Sequence, residues 1–314
     1  MSHYGENNMN SMELSNYLEK IRLGRNLSQE EFVSGVVSIR QYQRYKNGDS
    51  VIPYEKINQF AEKFGVTTKK LLAEFEKEKN MQYVKINNFY NAVANNDYKN
   101  ANKIKEDLEK DLIISEEGRK YFEHAKIVYD YYSRKLTMNE VINKISVLID
   151  YPNILKQVYF TDVEVLILSF LLSIFSGERQ EILLNHLNDI FKSDDNIMAG
   201  DSDYIYTLIL MRIAKTYGIK RDYSKVIYYC DLGIKRGILY KQYYLWEYFF
   251  YYKALSYHAL GKNDEFNNSI LRCYNVLSME DNHSKFEKFN DLIEKDFDIN
   301  FQDYVVELIK SEQH

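Results

Sequence analysis

Proline is almost missing from this chain: 314 residues hold two, Pro53 and Pro152, alongside 12 glycines. Proline removes a backbone donor and glycine carries excess conformational freedom, so few positions would stop one helix from following another. Leu, Ile, Lys, Glu and Asn abound instead, which favours an all-α chain. Cysteine is equally scarce, with two residues. Cys230 and Cys273 lie far apart without CxxC spacing, signalling neither a disulfide framework nor a zinc site and fitting a reducing compartment.

Long hydrophobic runs are lacking as well. The longest apolar stretch, Val163 to Phe175, falls short of the roughly 18 residues that a bilayer span needs and reads as a buried helix. No basic segment followed by an apolar core opens the chain, so a cytoplasmic location is expected. Residues 1–11 are polar and unpatterned and are expected to form a flexible N-terminal arm.

Catalytic signatures are missing too. There is no GxGxxG, Walker-type glycine loop, HExxH or GxSxG, and the six histidines form no spaced ligand pair. The expectation is a protein that is not an enzyme and uses no cofactor or metal. Nor is there an excess of positive charge: the formal net charge is -5. That argues against coating nucleic acid without regard to sequence, because such affinity comes from neutralising phosphates. Between Met12 and Asn80, however, 12 Lys and Arg meet 10 Asp and Glu, which leaves room for a small, localised DNA-reading surface.

What the chain does hold is tyrosine: 29 Tyr and 17 Phe against one Trp, large rings that suit helix packing and also suit grooves that grip a ligand. Residues 12–80 parse into five short helices. Glu13 to Arg25 carries Leu14, Leu18, Ile21 and Leu23 at helical spacing. Ser28 caps the next helix, with Glu31 three residues on completing a capping box. Ser38 is the N-cap of a third, Ile39 to Asn47, stopped by Gly48. Pro53 suits the first turn of a fourth, with Ile57, Phe60, Ala61 and Phe64 as its buried stripe. Thr67 caps a fifth containing Leu71 and Leu72.

Residues 81–314 repeat a different pattern: an aromatic-rich helix, a polar corner, then a second helix. The corners fall at Asn96-Asp97-Tyr98, Thr137-Met138-Asn139, Gly177-Glu178-Arg179, Arg221-Asp222-Tyr223 and Asn263-Asp264-Glu265-Phe266, roughly 42 residues apart. About five helix hairpins stacked this way form a solenoid whose concave side is lined by the first helix of each pair, a face that such arrays use for binding. The last segment, Lys285 to Lys310, either caps the stack or adds a further pair.

The stretch Leu27 to Leu72 resembles the lambda-repressor/Cro type of helix-turn-helix domain. The resemblance is carried by Leu27-Ser28-Gln29-Glu30-Glu31-Phe32, by Tyr42, Arg44 and Gly48, by Phe64-Gly65-Val66 and by Leu71-Leu72. It implies that the third helix enters the major groove, with Ile39, Arg40, Gln43 and Arg44 on or beside the base-facing stripe. Arg can bond guanine and Gln adenine in bidentate fashion, each good pair contributing roughly 1–3 kcal/mol of discrimination. Gln29 matches a position that touches the DNA backbone and braces the recognition helix in this family. Ser38 would offer its hydroxyl and amide to a phosphate. Lys46 stands where the family commonly has Glu and is expected to face a phosphate; Tyr42 and Tyr45 are expected in the core.

The corner at Arg221-Asp222-Tyr223, with Ile213, Ala214, Tyr217 and Val226, resembles a tetratricopeptide repeat, and Ala254, Tyr257, Gly261 and Phe266 partly repeat it. A lambda-type helix-turn-helix followed by about five degenerate hairpins of this kind resembles the peptide-sensing quorum regulators of Firmicutes, the PlcR, PrgX and Rgg-like group. The resemblance implies a five-helix DNA-binding domain joined to a right-handed tetratricopeptide-like solenoid. It also implies a homodimer, a double-stranded DNA operator and a short signalling peptide bound in the concave groove. First-helix positions expected on that side include Leu208, Met211 and Lys215 in the fourth hairpin and Tyr248, Tyr251, Leu255 and His258 in the fifth, with Arg212 a further candidate. Aromatic and aliphatic surface would hold peptide side chains, and a Lys or Arg would pair a carboxylate terminus. Two other readings share the pattern: a repeat-based protein that sequesters a protein partner, and a repressor that answers to a different ligand.

Overall fold

The computed structural model describes residues 10–191, 197–198, 203–280 and 282–312, and the chain divides into two compact units, Met1–Leu148 and Ile149–His314. Of the arm expected over residues 1–11, Asn10 and Ser11 belong to the first helix and its cap, and residues 1–9 lie outside the described residues. The architecture is all-α, with 16 α-helices among the described residues.

The first unit opens with α1 (Ser11–Gly24), α2 (Gln29–Val33), α3 (Ile39–Lys46) and α4 (Tyr54–Lys63). The first helix starts two residues before Glu13 because the Asn10 side chain accepts from the amides of Met12 and Glu13, at 3.2 and 3.3 Å. The box on α2 is complete: the Glu31 amide donates to Ser28 Oγ at 3.1 Å, and the Ser28 amide to Glu31 Oε2 at 2.7 Å. Gly48 ends α3 with φ +76°, a conformation costly for any residue with a Cβ. Pro53 sits at the cap of α4, one residue before the first turn that was expected to hold it. Phe32, Tyr42 and Phe60 are fully buried where these helices meet, with Phe32 stacked on Phe60 at 5.3 Å.

The fifth helix, α5 (Thr68–Ala94), is 27 residues long. No proline or glycine interrupts it, so it runs through residue 80, where a domain border was expected, and the units part instead between Leu148 and Ile149. It continues into α6 (Tyr98–Glu109), α7 (Glu116–Tyr132) and α8 (Met138–Leu148). The turn between α6 and α7 reaches back to α1. Ile114 is buried in the same core as Leu14 and Leu18, and its carbonyl accepts from Asn16 Nδ2 at 3.1 Å. Lys20 bridges Glu78 and Asp111 at 2.5 and 2.7 Å, and the buried Gln82 donates to Leu112 O while accepting from the Ile114 amide. The helix-turn-helix group is thus part of a larger packed body.

In the second unit a short 3-10 turn (Asn153–Lys156) precedes a two-residue parallel strand pair, β1 (Phe160–Thr161) and β2 (Ile197–Met198), with Phe160 opposite Ile197. Then come α9 (Asp162–Ile174), α10 (Gly177–Ile190), α11 (Asp203–Ile219), α12 (Tyr223–Tyr240), α13 (Trp246–Ala259), α14 (Asn263–Met279), α15 (His283–Phe297) and α16 (Phe301–Glu312). The apolar stretch forms α9, which is buried continuously from Val165 to Leu172 with Ser169 the one polar residue among them, while Glu164 is half-buried and Ser173 exposed. No helix among the described residues is long and apolar enough to cross a membrane.

Each of the five corners falls where one helix gives way to the next, although Gly177-Glu178-Arg179 and Asn263-Asp264-Glu265-Phe266 already form the first turns of α10 and α14, and two of the corners share one chemistry. Asn96 and Arg221 take left-handed backbone at φ 59° and 60°. The next residue, Asp97 or Asp222, caps the following helix through the amide three residues on, at 3.2 Å in both. The C-terminal segment forms a further pair: Phe289 and Ile293 on α15 and Phe301 and Val305 on α16 are buried in one core with Phe250, Ile270 and Cys273.

Candidate DNA-reading helix and ligand face

Ser38 Oγ accepts from the Gln41 amide at 3.1 Å and fixes the start of α3. Tyr42 and Tyr45 point into the core, as expected, so the opposite side of the helix is turned outward. Ser38, Ile39, Arg40 and Arg44 are exposed there, and Arg40 and Arg44, four residues apart, lie on one stripe. Neither guanidinium is held by another side chain among the described residues. Gln43 is half-buried and donates to Gln29 Oε1 at 2.8 Å, a tie from the first residue of α2 to the middle of α3.

Lys46 departs from expectation. Instead of turning outward to a phosphate, its ammonium lies 3.2 Å from Glu19 on α1, with the Tyr42 ring beneath it at 5.9 Å. The buried Glu19 carboxylate also accepts from the Tyr42 hydroxyl at 3.0 Å and from Arg22 at 2.9 and 3.0 Å. Burial alone would raise its pKa, but the hydrogen bonds from Arg22, Lys46 and Tyr42 outweigh that and hold it at about 2. Burial and the neighbouring Glu19 charge push the Tyr42 phenol up in turn. Since α1 supplies the acid, position 46 carries the base that a family-typical Glu would exclude.

In the second unit, Met211, Arg212 and Lys215 project from α11. Arg212 Nη1 donates to Ser169 Oγ on α9 at 2.9 Å and to Leu166 O at 3.3 Å, with its guanidinium 5.6 Å from the Phe170 ring centre. Beside it the Tyr252 hydroxyl on α13 reaches Met211 Sδ at 3.8 Å. Tyr248 lies one turn earlier on α13, its ring 6.2 Å from that of Tyr252, and its hydroxyl accepts from Lys288 Nζ on α15 at 2.8 Å. Contacts therefore run without a break from α9 through α11 and α13 to α15, along the first helix of successive pairs. Lys215 is exposed one turn beyond Met211, whereas Leu208 is buried and Leu255 half-buried.

Two expected groove residues lie elsewhere. Tyr251 is 5 % exposed, donates to Asp296 and packs on Phe289, so it belongs to the core between α13 and α15. His258 is exposed but rests between Phe266 and Phe297, at 5.4 and 5.2 Å, on the Tyr251 side of the helix. Tyr252 and Lys288 join the row, while the fully buried Ser169 and Phe170 support Arg212 from beneath. For Tyr252 the signal was available: it lies four residues after Tyr248, on the same stripe, while Tyr251 is turned by about 100° from it. A separate crevice of about 290 Å³ opens on the opposite flank of α13, by Phe250, Lys253 and Tyr257, where Lys253 is already paired with Asp231 at 2.6 Å.

No protein-family model matches the chain, and no curated protein matches it either. Solved structures do. The apo form of the competence regulator ComR from Streptococcus vestibularis is similar with a TM-score of 0.53 at 13% identity, covering 92% of this chain and 99% of that one. PlcR from Bacillus thuringiensis, in complex with the peptide PapR7 and DNA, has a TM-score of 0.50 at 15% identity and covers 88% and 98%. ComR from S. thermophilus, in complex with DNA and its signalling peptide ComS, has a TM-score of 0.50 at 17% identity and covers 85% and 94%. At these identities the likeness is one of fold, extending over nearly the whole length of each chain.

Proposed function

We propose that the protein is a sequence-specific DNA-binding transcriptional regulator controlled by a short signalling peptide, acting as a cytoplasmic homodimer without enzymatic activity. Residues 12–80 read the operator, and residues 81–314 bind the peptide and support dimerisation. The observation that carries the reading is the pair Arg40 and Arg44, exposed, without side-chain partners among the described residues, on a helix locked by Ser38, Gln29 and Glu19. Such guanidiniums are prepared for guanine edges, Ile39 for a thymine methyl, and Ser38 and Gln29 for phosphates. Gln43, drawn to Gln29, contributes mainly by holding the helix in place.

Fold likeness to PlcR and ComR, each solved with DNA and a peptide, supports assigning the row of Met211, Arg212, Lys215 and Tyr248 to a peptide ligand. The test is selection of genomic fragments by the purified protein, with and without short peptides, followed by mobility-shift titration of the enriched sequence. Enrichment of one sequence, altered by a peptide, is the expected outcome; capture of a stoichiometric protein partner with no DNA enriched would overturn the reading.

A further inference from the structure

The row that crosses the second unit ends on α15, the helix whose role the sequence left open between a cap and a further pair. Lys288 is exposed there, donates to the Tyr248 hydroxyl at 2.8 Å and holds its ammonium 5.4 Å from the Tyr248 ring centre. It has no carboxylate partner among the described residues. Lys285, three residues earlier, is the opposite case, held between Glu247 at 2.6 Å and Glu280 at 2.7 Å. Asp296, further along α15, is engaged by Tyr251 on the other flank of α13 and brings no compensating charge to Lys288. At α11, exposed Lys215 likewise has no carboxylate partner among the described residues.

The chemistry of the Lys288 and Tyr248 pair is directional. An ammonium has three donors and no acceptor, and a phenol that accepts from it keeps its own proton to donate. An incoming carboxylate can therefore take one bond from each group at nearly the same point, on a floor of aromatic rings, where charge-assisted bonds are the strong ones. A neutral amide oxygen can accept the same two bonds but brings no negative charge to the ammonium, and an ammonium brings no acceptor at all.

We infer that α15 is the last wall of the ligand face, and that Lys288 with Tyr248 makes this face select a peptide carrying a carboxylate, at an acidic side chain or at the C-terminus. The inference rests on the peptide reading above. It is tested on the full-length protein with three pools of random heptapeptides. One has acidic residues and an amidated C-terminus, one has a free C-terminus and no acidic residues, and one has neither.

Peptides that stay with the protein through gel filtration are quantified by mass spectrometry. At least one carboxylate-bearing pool is retained roughly ten- to hundred-fold better than the third, the span of a charged hydrogen bond, and the better pool identifies the source of the carboxylate. Lys288→Met erases the preference and Lys288→Arg keeps it, with the circular-dichroism melt of each matching wild type. Equal retention of all pools, or a preference that survives Lys288→Met, overturns this inference alone. Retention of no peptide overturns the peptide reading and takes the inference with it.

Discussion

The Glu19 carboxylate on α1 accepts the hydroxyl of Tyr42 on α3 at 3.0 Å, in a pocket that leaves Tyr42 fully buried. The same carboxylate takes Lys46, one turn later on α3, so two points along that helix are fixed to one atom group. Two anchors on one side of a helix set its rotation about its own axis. Under the proposed function, that rotation would decide whether Arg40 and Arg44 meet base edges or solvent.

Removing the anchor should loosen α3. Glu19→Ala is expected to cost about 3 kcal/mol of local stability, the loss typical of breaking a buried ionic contact. The pH dependence has a defined sign. The folded-state pKa, about 2, lies below the ordinary carboxyl value of 4.5, so the contribution is complete above that ordinary value and fades as pH falls through about 2. It amounts to at most about 3 kcal/mol. The lone tryptophan, Trp246, lies in the second unit, so hydrogen exchange at the α1 and α3 amides is the suitable measurement. Protection that drops between pH 5 and 2 in wild type and not in Glu19→Gln is the expected result.

Arg40→Ala and Arg44→Ala should each weaken operator binding roughly ten- to hundred-fold, the worth of a bidentate guanine contact, and relax selection at one base pair. Both side chains are exposed and have no side-chain partner among the described residues, so melting temperature should stay within a degree or two of wild type, as surface changes away from any contact network do. Unchanged operator affinity in a mobility-shift titration would remove both residues from the reading surface.

Lys46 should behave differently from both. Its ammonium is spent on Glu19, so Lys46→Met is expected to lower stability while leaving the salt dependence of DNA binding unaltered. Loss of a true phosphate contact would reduce the slope of log affinity against log salt by about 1. Titrations at a series of salt concentrations separate the two roles.

Close approach of α12 and α13 yields a prediction that runs against helix propensity. A Cβ on Gly233 would collide with the ring of the fully buried Phe249, and one on Gly237 with Trp246 and the Gln242 carbonyl. Alanine is the better helix former by roughly 1 kcal/mol, yet Gly233→Ala should destabilise the second unit by about 1–3 kcal/mol through overpacking. Urea unfolding followed by Trp246 fluorescence measures the sign directly.

How far these features could be read in advance follows from how local their causes are. Ser28 with Glu31, Gly48, and the Asn96-Asp97 and Arg221-Asp222 corners each place cause and effect within a few residues, and their helix boundaries fall where the pattern puts them. The contact between Lys46 and Glu19 is not legible in the sequence, because the two lie on different helices and pairing depends on packing. The continuity of the fold through residue 80 is hidden for a related reason: α5 has no breaker there, and the ties from Asn16, Lys20 and Gln82 to the α6–α7 turn join segments distant in sequence. On α13, Tyr251 and His258 share the flank turned by about 100° from Tyr248 and Tyr252, and an offset of one residue on a helix is enough to move a ring from one face to another.

The buried ion pair of the second unit gives the sharpest stability test. Glu247 is fully buried; burial raises its carboxyl pKa, partly opposed by Lys285, whose ammonium lies 2.6 Å away. A raised carboxyl pKa means that folding favours the protonated form, so this group's contribution falls as pH rises from the ordinary carboxyl value of 4.5 through the folded value. Lys285→Met leaves the acid without its counter-charge and should cost about 3–5 kcal/mol at neutral pH, with part recovered on acidification as Glu247 takes up a proton. Glu247→Gln added to Lys285→Met removes the stranded charge and should restore most of the loss. Trp246 adjoins Glu247 on α13, so its fluorescence in urea titrations at pH 5 and pH 8 reports the step; equal midpoints for the single and double variants would show that the pair carries no such coupling.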